Sequence, residues 1–188
     1  MKTELIKILD EKRFDDLVNP NGGIIIREID KISHFLENRE FKYEEYYEET
    51  KKYLSDKDIK FPDYTYPEII NKILGKVNSY KTRINEIMHE SEYLKSKIKF
   101  PRDILYSELI TIVSGSDVGT RNNFISKLLE YFDKALFLEN SINNICDVAL
   151  RVLKDKEDDI SRFIYALNLE YKVFPQLTNN DVNQNKGL

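Results

Sequence analysis

The sequence predicts an all-α fold: an elongated bundle of about six or seven helices around one long central helix near residues 67–98. Two observations carry this. Positions 70, 73, 77, 80, 84, 87, 91, 94 and 98 alternate steps of three and four, and eight of the nine are apolar or aromatic. That is a heptad seam kept over four heptads, the pattern of a helix lying on other helices. Ser91 is its one polar position. The second is the punctuation elsewhere, where caps, glycines and prolines bracket shorter apolar runs at helical spacing.

Taken in order, Thr3 fits as N-cap of a first helix near 4–18, with Leu5, Ile6, Leu9, Phe14 and Leu17 on its apolar face. Asn19-Pro-Asn-Gly-Gly23 is a stop and turn. No Lys-Ser or Lys-Thr follows it, so it lacks the core of a phosphate loop. A helix over about 24–38 follows, with Asn38–Phe41 as a break, and then a tyrosine-rich helix over 41–54. Thr65 with Glu68 has capping-box spacing, Tyr64 with Ile69 has staple spacing, and Pro67 suits a first turn. Pro101 is expected to end the long helix and open another, with Ile104, Leu105, Leu109 and Ile112 inside. Thr120 and Ser141 are expected caps for two more helices, which would bury Phe124, Phe132, Phe137, Ile142, Val148 and Val152. Lys154–Asp159 reads as a charged turn, and Pro175 as the stop of a last helix. This gives one domain over 1–178 and a disordered tail over 179–188. Ile59-Lys-Phe-Pro62 recurs as Ile98-Lys-Phe-Pro101, which reads as shared helix-start chemistry, since two copies do not make a solenoid.

Composition narrows the function classes. The net charge is −4, with pI near 5.4, which argues against a strongly basic duplex binder. The single Cys146 rules out an intrachain disulfide and suits a reducing, cytoplasmic setting. No apolar run approaches the ~18 residues of a membrane span. Heavy use of Lys, Asn, Ile and Tyr suggests an AT-rich genome, as in low-GC bacteria and their mobile elements.

Charge is segregated along the chain. Residues 37–58 hold eight acids and five bases, and residues 67–102 hold four acids and eight bases. Two such helices should fold back on each other as an antiparallel hairpin. A parallel self-zipper on the seam would set Lys76 against Lys81, so packing within the chain is preferred.

Three groups of residues are candidates for chemistry or binding. Arg83 and His89 stand at Arg-x5-His spacing. This resembles the Arg-x(4–6)-His motif of the HEPN ribonucleases, which would imply a catalytic role at a scissile phosphate. The pattern departs from that family at Ile84, where a polar residue usually follows the arginine. Ser116, Thr120 and Arg121 lie in a glycine-containing loop before a helix and could receive an anion. Tyr43, Glu44, Glu45, Tyr46, Tyr47, Glu48, Tyr53, Tyr64 and Tyr66 mark an acidic, tyrosine-rich stretch offered as a partner surface, with the tyrosines of 43–53 on one helical face and the glutamates mostly on the other. No residues suggest a metal or cofactor site. The leading expectation is a non-enzymatic protein-binding helical module, an accessory or inhibitory subunit of a bacterial or phage mobile-element or defence system. The alternative is a nucleic-acid-acting protein, either HEPN-like or a helical reader using Lys76, Lys81, Arg83, Arg102 and Arg121. A homo-oligomer is a third option.

Overall fold

The computed structural model describes residues 6–60 and 67–184, and of residues 35–37, 67 and 170–184 the backbone alone. Among the described residues there are five α-helices, fewer than expected. They are α1 (Glu11–Val18), α2 (Ile24–Ser55), α3 (Pro67–Ile112), α4 (Val118–Leu128) and α5 (Glu130–Gln184). A 3-10 turn spans Lys57–Ile59, and two short strands, β1 (Lys7–Ile8) and β2 (Val113–Ser114), pair antiparallel. The chain divides into two compact units. Unit 1 is Met1–Lys51 with Asn85–Cys146, and unit 2 is Lys52–Ile84 with Asp147–Leu188.

The shortfall in helix number has specific causes. Asn38–Phe41 does not break α2, because Arg39 is buried in unit 1 and fully engaged there. Pro101 does not end α3. It removes one backbone donor, at a cost of about 3 kcal/mol. Buried Ile98, Leu105, Leu109 and Ile112 lie on one strip around it, each worth ~1.5–3 kcal/mol, so packing outweighs the lost bond. Ile98-Lys-Phe-Pro101 is therefore mid-helix and not a helix start. Ser141 is no cap, since its hydroxyl donates to the Phe137 carbonyl four residues back at 2.9 Å, inside α5. Lys154–Asp159 is helical between buried Leu153 and Ile160, with Lys156 and Glu157 half-buried and the other four residues exposed. The helix also continues past Pro175. Residues 185–188 of the expected tail lie outside the described residues.

Two starts are also corrected. The first helix begins at Glu11, because the Asp10 carboxylate accepts the Arg13 N–H at 3.0 Å and caps it. Residues 7–8 are extended instead, with Leu9 N–H donating to the Ile112 carbonyl at 2.7 Å. Thr3 lies outside the described residues, as do Thr65 and Tyr64 of the expected capping box and staple. At α4 the cap is Asp117, and Thr120 is the third helical residue, whose N–H donates to Asp117 at 2.8 Å. The expected helix over 120–137 unwinds locally at Leu129, where the backbone bonds Leu129 N–H to Ile125 and Asp133 N–H to Leu129 persist.

The turn at 19–23 is as expected. The Asn19 side chain accepts the Asn21 N–H at 2.8 Å, and Gly22 has φ 140. A Cβ on Gly23 would sit 2.6 Å from backbone atoms of Leu17 and Asn19.

The core of unit 1 joins all five helices: Leu17, Ile25 and Ile32 meet Leu109, Ile125 and Phe132. In unit 2, Ile59, Ile70, Ile73, Val77, Leu153 and Ile160 are buried. The Tyr53 ring stacks on Tyr80 at 4.2 Å, and Asp56 meets Lys76, so α2 and α3 run antiparallel there as the charge pattern foretold. Seven of the nine seam positions are buried, with Tyr80 and Leu94 half-buried. Ile104, Phe137, Val148 and Val152, expected inside, are exposed. Each lies on a helix whose apolar residues occupy two faces, of which the bundle covers one.

Leu109→Ala, at a position with no exposure, should destabilise the protein by about 2–5 kcal/mol. Phe100→Ala on the same helix should stay within ~0.5 kcal/mol. Urea unfolding of both variants checks the contrast.

Candidate functional site

Unit 1 holds a buried cluster of charge, and it is centred on the one polar position of the seam. Ser91 has no exposure, and its hydroxyl donates to Glu139 Oε2 at 2.6 Å. Glu139, on α5, also has no exposure. Arg39 of α2 clamps it, with Nε 2.8 Å from Oε1 and Nη2 3.1 Å from Oε2. The third guanidinium nitrogen, Nη1, reaches Glu90 of α3 at 2.8 Å. Glu90 also accepts the Tyr46 hydroxyl at 3.0 Å and lies 3.5 Å from Lys42. One level along the same helices, Asn143 donates to Glu92.

The electrostatics follow from this arrangement. Burial opposes the charge of Arg39, but the hydrogen bond and negative charge of Glu139 outweigh it and raise its pKa. Burial would raise Glu90, yet the Tyr46 hydroxyl and the charges of Arg39 and Lys42 hold it below the usual glutamate range. Tyr46 is raised by burial and by donating to Glu90. Ser91 beside Glu139 has the look of a nucleophile and base, but both are sealed from solvent and the carboxylate is taken up by Arg39. The cluster ties α2, α3 and α5 together and has no room for a substrate.

The expected site residues fare differently. Tyr46 is interior, and Tyr53 is half-buried on Tyr80 in unit 2, so neither ring faces outward. Glu44, Glu45, Tyr47 and Glu48 are exposed, Tyr43 is half-buried, and Tyr47 stacks under Lys51 at 5.8 Å. Tyr64 and Tyr66 lie outside the described residues. Arg83 is half-buried in unit 2 and His89 is exposed in unit 1. The loop offered to an anion is already served by the chain's own carboxylate. Asp117 accepts the backbone N–H and the hydroxyl of Thr120, which lower its pKa, and Ser116 adds a contact at 3.4 Å. Arg121 is half-buried. No group of three or more potential metal ligands occurs among the described residues, and no described helix is long and apolar enough to cross a membrane.

What the sequence reading missed is an open groove of about 890 Å³ on unit 1, between α2 and α5. Ser33 and Glu40 form one wall, and Glu130, Tyr131, Lys134 and Phe137 the other. Phe137 is 74% exposed and Tyr131 46% exposed. Glu130 pairs with Lys134 at 2.8 Å. Comparison with protein-family models, curated proteins and solved structures finds no match.

Arg39→Met should cost ~3–5 kcal/mol by stranding the Glu139 carboxylate. Adding Glu139→Leu to it should recover most of that loss in urea unfolding. Because Glu90 is depressed in the folded state, its contribution is complete above the ordinary glutamate value of about 4.3 and is lost as pH falls through the lower folded value. Glu90→Gln should flatten that acid limb of melting temperature against pH.

Proposed function

We propose that this chain is a non-enzymatic protein-binding helical module, an accessory or inhibitory subunit that works by occluding or scaffolding a partner. The observation that carries this reading is the α2–α5 groove with its uncovered aromatic wall. Large apolar surface rimmed by polar groups is what protein contacts use. On α2 the groove continues into the acidic face, since Glu44 is one turn beyond Glu40 and both are exposed. The partner is therefore expected to present positive charge around an apolar anchor.

The nucleic-acid reading has less behind it. Lys76 is engaged by Asp56 and Asp58, Lys81 by Glu157 at 2.6 Å, and Arg102 by Asp133 at 2.9 Å. Cations already paired within the chain have less to offer a phosphate backbone. The heavy use of Lys, Asn, Ile and Tyr, whose codons are AT-rich, and the single buried cysteine support a cytoplasmic bacterial or phage setting of the mobile-element or defence kind.

Affinity purification from the native host tests the reading. Phe137→Ala, and separately charge reversal of Glu44, Glu45 and Glu48 to Lys, should each reduce partner recovery about tenfold, the effect of ~1.4 kcal/mol. The circular dichroism melt should be unchanged. Undiminished recovery with Phe137→Ala contradicts a partner in this groove.

A further inference from the structure

The α2–α5 groove of unit 1 has the register of a seat for one more helix. On its α2 wall Ser33 and Glu40 stand seven residues apart, and Glu44 and Tyr47 continue the stripe at steps of four and three. On its α5 wall Tyr131, Lys134 and Leu138 step by three and four, with Phe137 beside them. These are the spacings of one helical face on each side. Two such faces side by side leave a trough that takes the ridges of a third helix. Apart from the first turn of α5, the wall backbones are spent on hydrogen bonds within their own helices. They have no row of free N–H and C=O groups to pair with an extended strand, whereas a helix arrives with its own backbone already bonded.

The charge left open on this surface has one sign. Lys134 is tied to Glu130 at 2.8 Å and lies 5.4 Å over the Tyr131 ring. Lys51, at the far end of the α2 stripe, is tied to Glu48 at 3.3 Å and lies over the Tyr47 ring. Asp133 is taken by Arg102 at 2.9 Å. Glu40 and Glu44 remain, one turn apart, both exposed and in no ion pair among the described residues. Beside them Phe137, Tyr131 and Tyr47 are uncovered. We infer that the occupant of the groove is a basic amphipathic helix of another protein. Its apolar residues, at steps of three and four, lie on Phe137 and Tyr131. Two lysines or arginines one turn apart on its flank meet Glu40 and Glu44. The inference rests on reading the groove as a protein-docking surface, and it adds the form, charge and spacing of what docks. An acidic helix or a nucleic-acid backbone would meet the same two carboxylates with like charge.

Fluorescence anisotropy of the full chain with a labelled synthetic peptide of ~14 residues, about four turns, is the test. The peptide carries leucine at steps of three and four and lysine at the other positions. It should bind with a Kd below about 100 μM, and more weakly as ionic strength rises through about 0.1 M, where charges ~10 Å apart become screened. The same peptide with glutamate in place of lysine should not bind. A peptide of the same composition with its leucines scrambled off the helical stripe should bind about tenfold more weakly. Glu40→Lys with Glu44→Lys, and separately Phe137→Ala, all at exposed positions, should each weaken binding about tenfold with an unchanged circular dichroism spectrum. Asp155→Lys with Asp158→Lys, two exposed acids of unit 2, should leave binding unchanged, because only a general attraction to this acidic chain responds to both pairs alike. A lysine peptide that fails to bind overturns the proposal, as does one that loses as much affinity to the unit 2 pair as to Glu40 and Glu44. Equal binding of the scrambled peptide overturns the helical form of the occupant. None of these results touches the groove reading itself, which stands or falls on the Phe137→Ala purification.

Discussion

A carboxylate with no access to water governs the packing of unit 1. An ion of that kind costs several kcal/mol to desolvate, and the cost is offset only when every lone pair finds a donor in good geometry. Glu139 meets this demand with two nitrogens of Arg39 and the hydroxyl of Ser91. The three residues belong to α5, α2 and α3. A slip of any one helix by a turn, about 5.4 Å, would strand a buried charge. Apolar contacts tolerate such slips, because one isoleucine ladder resembles the next, whereas a bidentate clamp does not. The cluster therefore sets which rungs of the three helices face each other.

This also explains which parts of the architecture were legible in the residues. The seam on α3 was readable because its period persists over many turns, and burial follows that period. The charge segregation between residues 37–58 and 67–102 was readable as an antiparallel pair for the same reason, since each of these stretches keeps its bias over several turns. Helix boundaries were not readable where a local breaker met a tertiary counterweight. Asn38–Phe41 looked like a gap until Arg39 proved to be held from two other helices. Pro101 looked like a stop, but the missing donor is a small loss beside the buried strip on either side of it.

Candidate sites were harder still. Ser91 stood out as the polar break in an apolar ladder, and that should have prompted a search for a buried acceptor. Nothing in the sequence singled out Glu139 among many acids, because its partner lies 100 residues away. The uncovered aromatics were hidden by the opposite effect. Phe137 and Ile104 sit among apolar neighbours, so periodicity assigned them to the interior. When a helix is apolar on two sides, periodicity cannot tell which side the rest of the chain covers. The acidic tyrosine face split for a related reason, since Tyr46 points to Glu90 while Tyr47, one residue on, points to water.

The distance along the chain between Arg39 and Glu139 has a consequence for the chain as it is made. At synthesis rates of ~5–20 residues per second, the 100 residues between them take about 5–20 s to appear. Arg39 is present through that whole interval, and Ser91 through its last 48 residues, without the carboxylate that organises them. The nascent chain must therefore hold its first helices, with their apolar sides uncovered, until the start of α5 has left the ribosome.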